Sequence, residues 1–108
     1  MDKEIKKGSI DILILSLIDK KDMYGYDIAK TIKSKSNNLY EMGEGTLYSA
    51  LKRLEKNELI ESYWGDSASG SRRKYYKITD SGSKELKRRM KEWKQVNELI
   101  NVCYEGAR

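Results

Sequence analysis

A chain of 108 residues, 38% hydrophobic and 36% charged, is long enough for one compact domain and too short for two ordinary ones. It has no histidine and one cysteine, Cys103, which excludes intramolecular disulfides, Cys/His zinc sites and histidine-based acid–base catalysis together. The formal net charge of +5 is unevenly placed: Arg72 to Lys94 holds ten basic and three acidic side chains, a balance of +7, leaving the rest of the chain at −2.

A local positive stretch suits a polyanionic partner, because Lys and Arg on phosphates release counterions. Lys84, Lys87, Arg88, Lys91 and Lys94 read as the solvated outer face of a helix, whereas Arg72-Arg73-Lys74, beside a Gly/Ser-rich tip, read as functional. The longest nearly unbroken apolar run, Ile10 to Ile18, is far shorter than the roughly 20 residues that cross a bilayer. Met1-Asp2-Lys3-Glu4 does not read as a secretory signal, so a cytoplasmic protein with no membrane partner is expected.

In chain order, Ile5 to Ile18 is apolar on nearly every side of a 3.6-residue period, as expected of a helix buried between other elements. Tyr24-Gly25-Tyr26-Asp27 leads into a short second helix marked by Ile28 and Ile32, which Ser34 to Asn38 ends. Glu44-Gly45-Thr46 supplies the start of a third helix, with Thr46 as N-cap or first-turn residue and Leu47, Ala50, Leu51 and Leu54 as its inward stripe to about Asn57. Leu59 to Trp64 and Lys74 to Ile78 are rich in strand formers, and Gly65 to Ser71 between them reads as the long mobile tip of a β-hairpin. Thr79 or Asp80 caps a last helix running from Ser81 towards Tyr104. Along it Leu86, Met90, Trp93, Asn97, Ile100 and Tyr104 alternate steps of four and three, the spacing of a seam facing another helix, and Val96, Leu99 and Cys103 widen that face. The simplest partner is the same helix of a second copy, held by Leu86, Met90, Trp93, Val96 and Ile100.

Three helices followed by a hairpin give a mainly α fold with a β-hairpin wing. This is a winged helix-turn-helix over residues 1–79, with a long C-terminal dimerisation helix over 80–108. With the leucines inward, Tyr48, Ser49, Lys52 and Arg53 project elsewhere, and Thr46 stands at the exposed first turn. Hydroxyls and a helix N-terminus suit phosphates, while Lys and Arg serve phosphates or guanine edges. Together with Arg72, Arg73 and Lys74 these residues form the expected contact set for double-stranded DNA. The rival reading is a winged-helix module that binds protein and not DNA; it would be expected to present an apolar or acidic face where this chain presents cations. Gly25, Gly43 and Gly45 lack the spacing and lysine of a phosphate-binding loop, so no cofactor is implied.

Tyr24-Gly25-Tyr26-Asp27-Ile28-Ala29, Gly45-Thr46-Leu47-Tyr48-Ser49-Ala50-Leu51-Lys52-Arg53-Leu54-Glu55 and Ser71-Arg72-Arg73-Lys74-Tyr75-Tyr76-Lys77-Ile78-Thr79 resemble, in order and spacing, the winged-helix segments of PadR-type transcriptional regulators. The short last helix with Trp93 resembles the small branch of that family, to which the lactococcal multidrug-resistance regulator belongs. The resemblance implies a homodimeric repressor that binds an operator, with Trp93 near the dimer axis where paired indoles can sandwich a flat aromatic ligand. Core packing fits Trp93 as well as stacking does. Asn97 departs from the drug-binding relative, which has an acidic residue near the tryptophans. As a ligand contact Asn97 has no charge for a cation, and as a polar seam residue it would fix helix register. Cys103 reads as a small hydrophobe of the helix face and not as a redox switch.

Overall fold

The computed structural model describes residues 1–106. In chain order these form α1 (Lys3–Lys20), β1 (Met23–Tyr24), α2 (Gly25–Lys35), α3 (Glu44–Lys56), β2 (Ile60–Asp66), β3 (Arg72–Ile78) and α4 (Asp80–Glu105). Residues 107–108, the end of the expected C-terminal unit, lie outside the described residues.

The Asp2 carboxylate caps α1 by accepting from the N–H groups of Glu4 and Ile5. The helix then buries Ile10, Ile14, Leu15 and Ile18, with Ile12, Leu13 and Leu17 partly covered, and so forms the centre of the core as its all-round apolarity predicts. Ile28 and Ile32 of α2 and Leu47, Ala50, Leu51 and Leu54 of α3 close over it. Both of these helices end in left-handed residues. Asn37 and Asn38 (φ 53° and 69°) follow α2, a conformation asparagine tolerates. Glu58 (φ 61°) follows α3, where the Leu59 N–H reaches the Leu54 carbonyl and the Glu58 N–H the Glu55 carbonyl.

The strands form an antiparallel sheet in the order β1-β3-β2, with Met23 opposite Tyr76 and Tyr63 opposite Tyr75. The third strand, β1, is an addition to the expected hairpin, since two residues are too few to show a period of two. The wing also differs at its tip. Its strands continue to Asp66 and from Arg72, so the loop is 67–71 and not Gly65 to Ser71. The Tyr75 ring lies over Gly65 so closely that a Cβ there would meet it at 2.9 Å, and this cover keeps the glycine in the ladder. Ser67 N–H to Ser71 O (2.9 Å) and Gly70 at φ 86° close the turn.

Thr79 is the hinge between wing and last helix: its Oγ1 accepts from the Gly82 N–H, capping α4, and donates to the Glu58 carbonyl at 2.8 Å. The expected boundary at 79/80 falls on this cap, yet the first turns of α4 belong to the same core. A Cβ at Gly82 would stand 2.0 Å from the Leu59 carbonyl oxygen, and Leu86 is 7% exposed among the core residues. No helix among the described residues is long and apolar enough to cross a membrane.

Candidate nucleic-acid interface

Because α3 buries Leu47, Ala50, Leu51 and Leu54, helical geometry sets Ser49, Lys52 and Lys56 on the opposite ridge, and all three are exposed. Lys56 is absent from the expected set, although its spacing of four from Lys52 was there to be used. Thr46 is exposed in the first turn; the N-cap is Gly43, and no side chain caps this end, so its N–H groups face solvent.

Tyr48 and Arg53, expected to project away from the inward leucines, are exposed but fall on the two flanks of that ridge, each beside a neighbouring element. The Tyr48 hydroxyl lies where a Cβ on Gly25 would meet it at 3.0 Å, and burial raises its pKa above the usual phenol value. The Arg53 guanidinium donates to the Asp11 carboxylate of α1. The reason is spacing: these two positions sit about a quarter-turn from the buried stripe, within reach of the neighbouring element on either side.

The wing cations divide between the two faces of the sheet, as strand alternation requires. Arg72 is exposed, with its guanidinium 5.8 Å from the Trp64 ring centre, and Lys74 lies opposite Trp64 in the ladder. Arg73 is on the other face, half-buried over the Tyr24 ring at 4.7 Å. There Tyr63, Tyr75, Tyr24 and Tyr26 form a row with centroid spacings of 5.8, 6.2 and 6.2 Å. The Tyr63 hydroxyl donates to Asp22 at 2.5 Å, and that bond raises its pKa. The row left no pattern in the sequence because it is assembled from three strands and the first turn of α2.

A groove between the start of α1 and α3 brings Lys3, Lys6 and Lys7 beside Thr46, Ser49 and Arg53. These lysines were legible as an i, i+3, i+4 set on one helix face but carried no expectation. The structure thus brings Thr46, Ser49, Lys52 and the α1 lysines to one side of the molecule, with the wing as a second basic element.

On α4 the seam residues fare differently. Leu86, expected in the intersubunit seam, is buried in the core of the single chain because α1 runs beneath it. Met90, Trp93, Val96 and Ile100 are 45–56% exposed, and Asn97 and Cys103 are exposed with them.

Residues 14–88 match the profile of the family described as Transcriptional regulator PadR-like family. A protein of Lysinibacillus sphaericus, protein X, is 46% identical over 103 residues, 95% of this chain and 94% of its own length. Among solved structures, a transcriptional regulator from Clostridium thermocellum is 44% identical with a TM-score of 0.83, covering 92% of this chain and 96% of that one. A PadR family transcription regulator from Clostridium difficile is 42% identical with a TM-score of 0.78, covering 89% and 98%. The winged helix, the uncapped basic face of α3 and these matches agree: the chain belongs to the PadR-like family of transcriptional regulators and is not an enzyme.

Proposed function

We propose that this regulator is a homodimeric repressor that docks α3 in the major groove of operator DNA, lays its wing on the adjacent backbone and pairs through α4. The observation that carries the reading is the ridge of Ser49, Lys52 and Lys56 below an N-terminus whose N–H groups have no side-chain cap. Such a terminus accepts phosphate, and lysines beside it serve phosphates or guanine edges. Arg72 and Lys74 on one face of the wing and Arg73 on the other would supply sequence-blind phosphate contacts. The alternative of a protein-binding winged helix would want an apolar or acidic face here, and the face is hydroxylic and cationic. Repression is what the family resemblance implies.

Pairing through α4 is supported by the bare stripe of Met90, Trp93, Val96 and Ile100, which a soluble monomer would avoid. The dimer sets the two copies of α3 about 34 Å apart, one turn of the duplex. In the small drug-responsive branch that the chain resembles, the two Trp93 indoles would take a planar aromatic ligand, with Asn97 as an uncharged neighbour. The half-exposed Trp93 in mid-stripe supports this reading. A ligand would release DNA only by favouring a dimer with a different helix separation.

The test is a salt titration of duplex binding. Arg72→Ala with Arg73→Ala should weaken binding to every duplex and flatten log affinity against log salt, whereas Lys52→Ala or Ser49→Ala should also change sequence preference. An unchanged slope in the double wing variant defeats the wing assignment. For the ligand, flat aromatics should quench Trp93 and lose affinity for Trp93→Ala, with Trp64 as internal control; equal binding by Trp93→Ala makes Trp93 core only.

A further inference from the structure

Asp11 stands inside the most apolar stretch of α1, and two arginines from different helices converge on it. Arg53 of α3 meets Oδ1 at 2.5 Å, and Arg89 of α4 meets Oδ2 at 3.3 Å. Their situations differ. Arg89 is largely covered and is also held by Glu85, Nε to Oε2 at 2.7 Å. Arg53 is half-exposed, and Asp11 is its sole acidic partner among the described residues. It opens onto the groove shared with Lys3, Lys6, Lys7, Thr46 and Ser49, where Glu4 and Glu41 are the other carboxylates.

A carboxylate at the edge of a groove that receives a polyanion repels it unless a cation neutralises it. With one arginine on Asp11, a phosphate in the groove could draw that arginine away only by exposing the bare carboxylate. With two, the exchange leaves the carboxylate paired. We propose that Asp11 is a positioning residue of the DNA interface: it parks Arg53 in the free protein and yields it to a backbone phosphate on binding, while Arg89 keeps the carboxylate neutralised. The inference rests on the DNA-binding reading above and goes beyond it by assigning roles to Asp11 and Arg89, neither of which touches DNA. The exchange is close to balanced, since a charge-assisted bond to phosphate replaces one to carboxylate. Arg89 directly precedes Met90, where the bare stripe of α4 starts, so the same carboxylate ties the flank of α3 to the helix that orients the dimer.

The experiment is fluorescence anisotropy of a labelled random-sequence duplex titrated with the full chain over a series of KCl concentrations. Arg53→Gln should lower the log–log salt slope by roughly 0.9 for each protomer on DNA. Asp11→Asn should keep the wild-type slope and tighten binding roughly two- to fivefold, the equilibrium worth of an exposed ion pair. Arg89→Gln should weaken binding in the presence of Asp11 and have no effect in the Asp11→Asn background. That rescue is what a merely structural role of Arg89 would not give. Arg53→Lys keeps the charge and should hold the wild-type slope, which keeps the test open if Arg53→Gln fails to fold. The proposal is overturned if Arg53→Gln shares the wild-type slope, if Arg53→Lys loses it, or if Asp11→Asn does not rescue Arg89→Gln. Failure of the wild type to bind any duplex instead defeats the DNA-binding reading itself.

Discussion

The two ends of α4 are written in one hydrophobic stripe and yet live in different surroundings. Leu86, Met90, Trp93, Ile100 and Tyr104 share a face by spacing, but Leu86 is sealed against α1 whereas Tyr104, in line with it five turns later, is 88% exposed. At the first end each small detail is fixed by a neighbour: Thr79 caps, Gly82 lets the helix touch the Leu59 carbonyl, and Arg89 is clamped by Asp11 and Glu85. At the other end the apolar side chains, from Met90 to Tyr104, are left 37–88% exposed among the described residues. The contrast teaches that periodicity reports a face that must be buried, and that the length of the supporting helix, here α1, decides how much of the face the protomer buries for itself.

If this division is right, changes at the first end should act on folding. The largest effect is expected from Gly82→Val, because the added Cβ meets backbone 2.0 Å away and has nowhere to move; loss of about 3 kcal/mol or more, read by thermal unfolding, is the expected outcome. Leu86→Ala should cost about 2–4 kcal/mol by leaving a cavity between α1 and α4, measured at fixed chain concentration because the proposed dimerisation would add to apparent stability. A loss under about 1 kcal/mol would place Leu86 in the seam after all.

A smaller effect concerns Glu85. Hydrogen bonds from Arg88 and Arg89 lower its pKa from 4.5 to about 2. The folded value lies below the unfolded one, so the stabilisation is complete above about pH 4.5 and fades as pH falls towards 2. Glu85→Gln should remove that part of the acid sensitivity, and urea unfolding at pH 3 and pH 6 would reveal it as a reduced difference. The smallest effect is a gain: Glu58 holds φ 61°, so Glu58→Gly should relieve the left-handed strain and stabilise by about 0.5 kcal/mol, the glycine's larger unfolded-state entropy offsetting the rest. A loss there would mean that the Glu58 side chain has a role of its own.

Helix α1 was legible because it is apolar on nearly every side over many turns, α3 because its apolar residues recur with the helical period, and the cap of α4 was legible to within one residue, Thr79 or Asp80, because capping is local chemistry. The short strand β1 was not, since its pairing with Tyr75 and Tyr76 spans half the chain and leaves no pattern in two residues. The basic face of α3 was readable in outline from the inward leucines. Its flanks were not, because the partner of Arg53 is 42 residues away and that of Arg89 is 78 residues away. Asp11 is a lone charge inside the apolar run of α1, and only the packing of three helices turns it into a shared counter-ion. Leu86 was assigned to the wrong neighbour for a related reason: its spacing is the same whichever surface covers it.

The most direct test is sedimentation equilibrium of the wild type and Ile100→Asp at micromolar concentration, with circular dichroism of both. The account predicts that the wild type sediments at twice the 12.6 kDa chain mass, while Ile100→Asp sediments at the single-chain mass with its winged helix still folded. A wild type at 12.6 kDa, or an Ile100→Asp variant that stays dimeric, would contradict it.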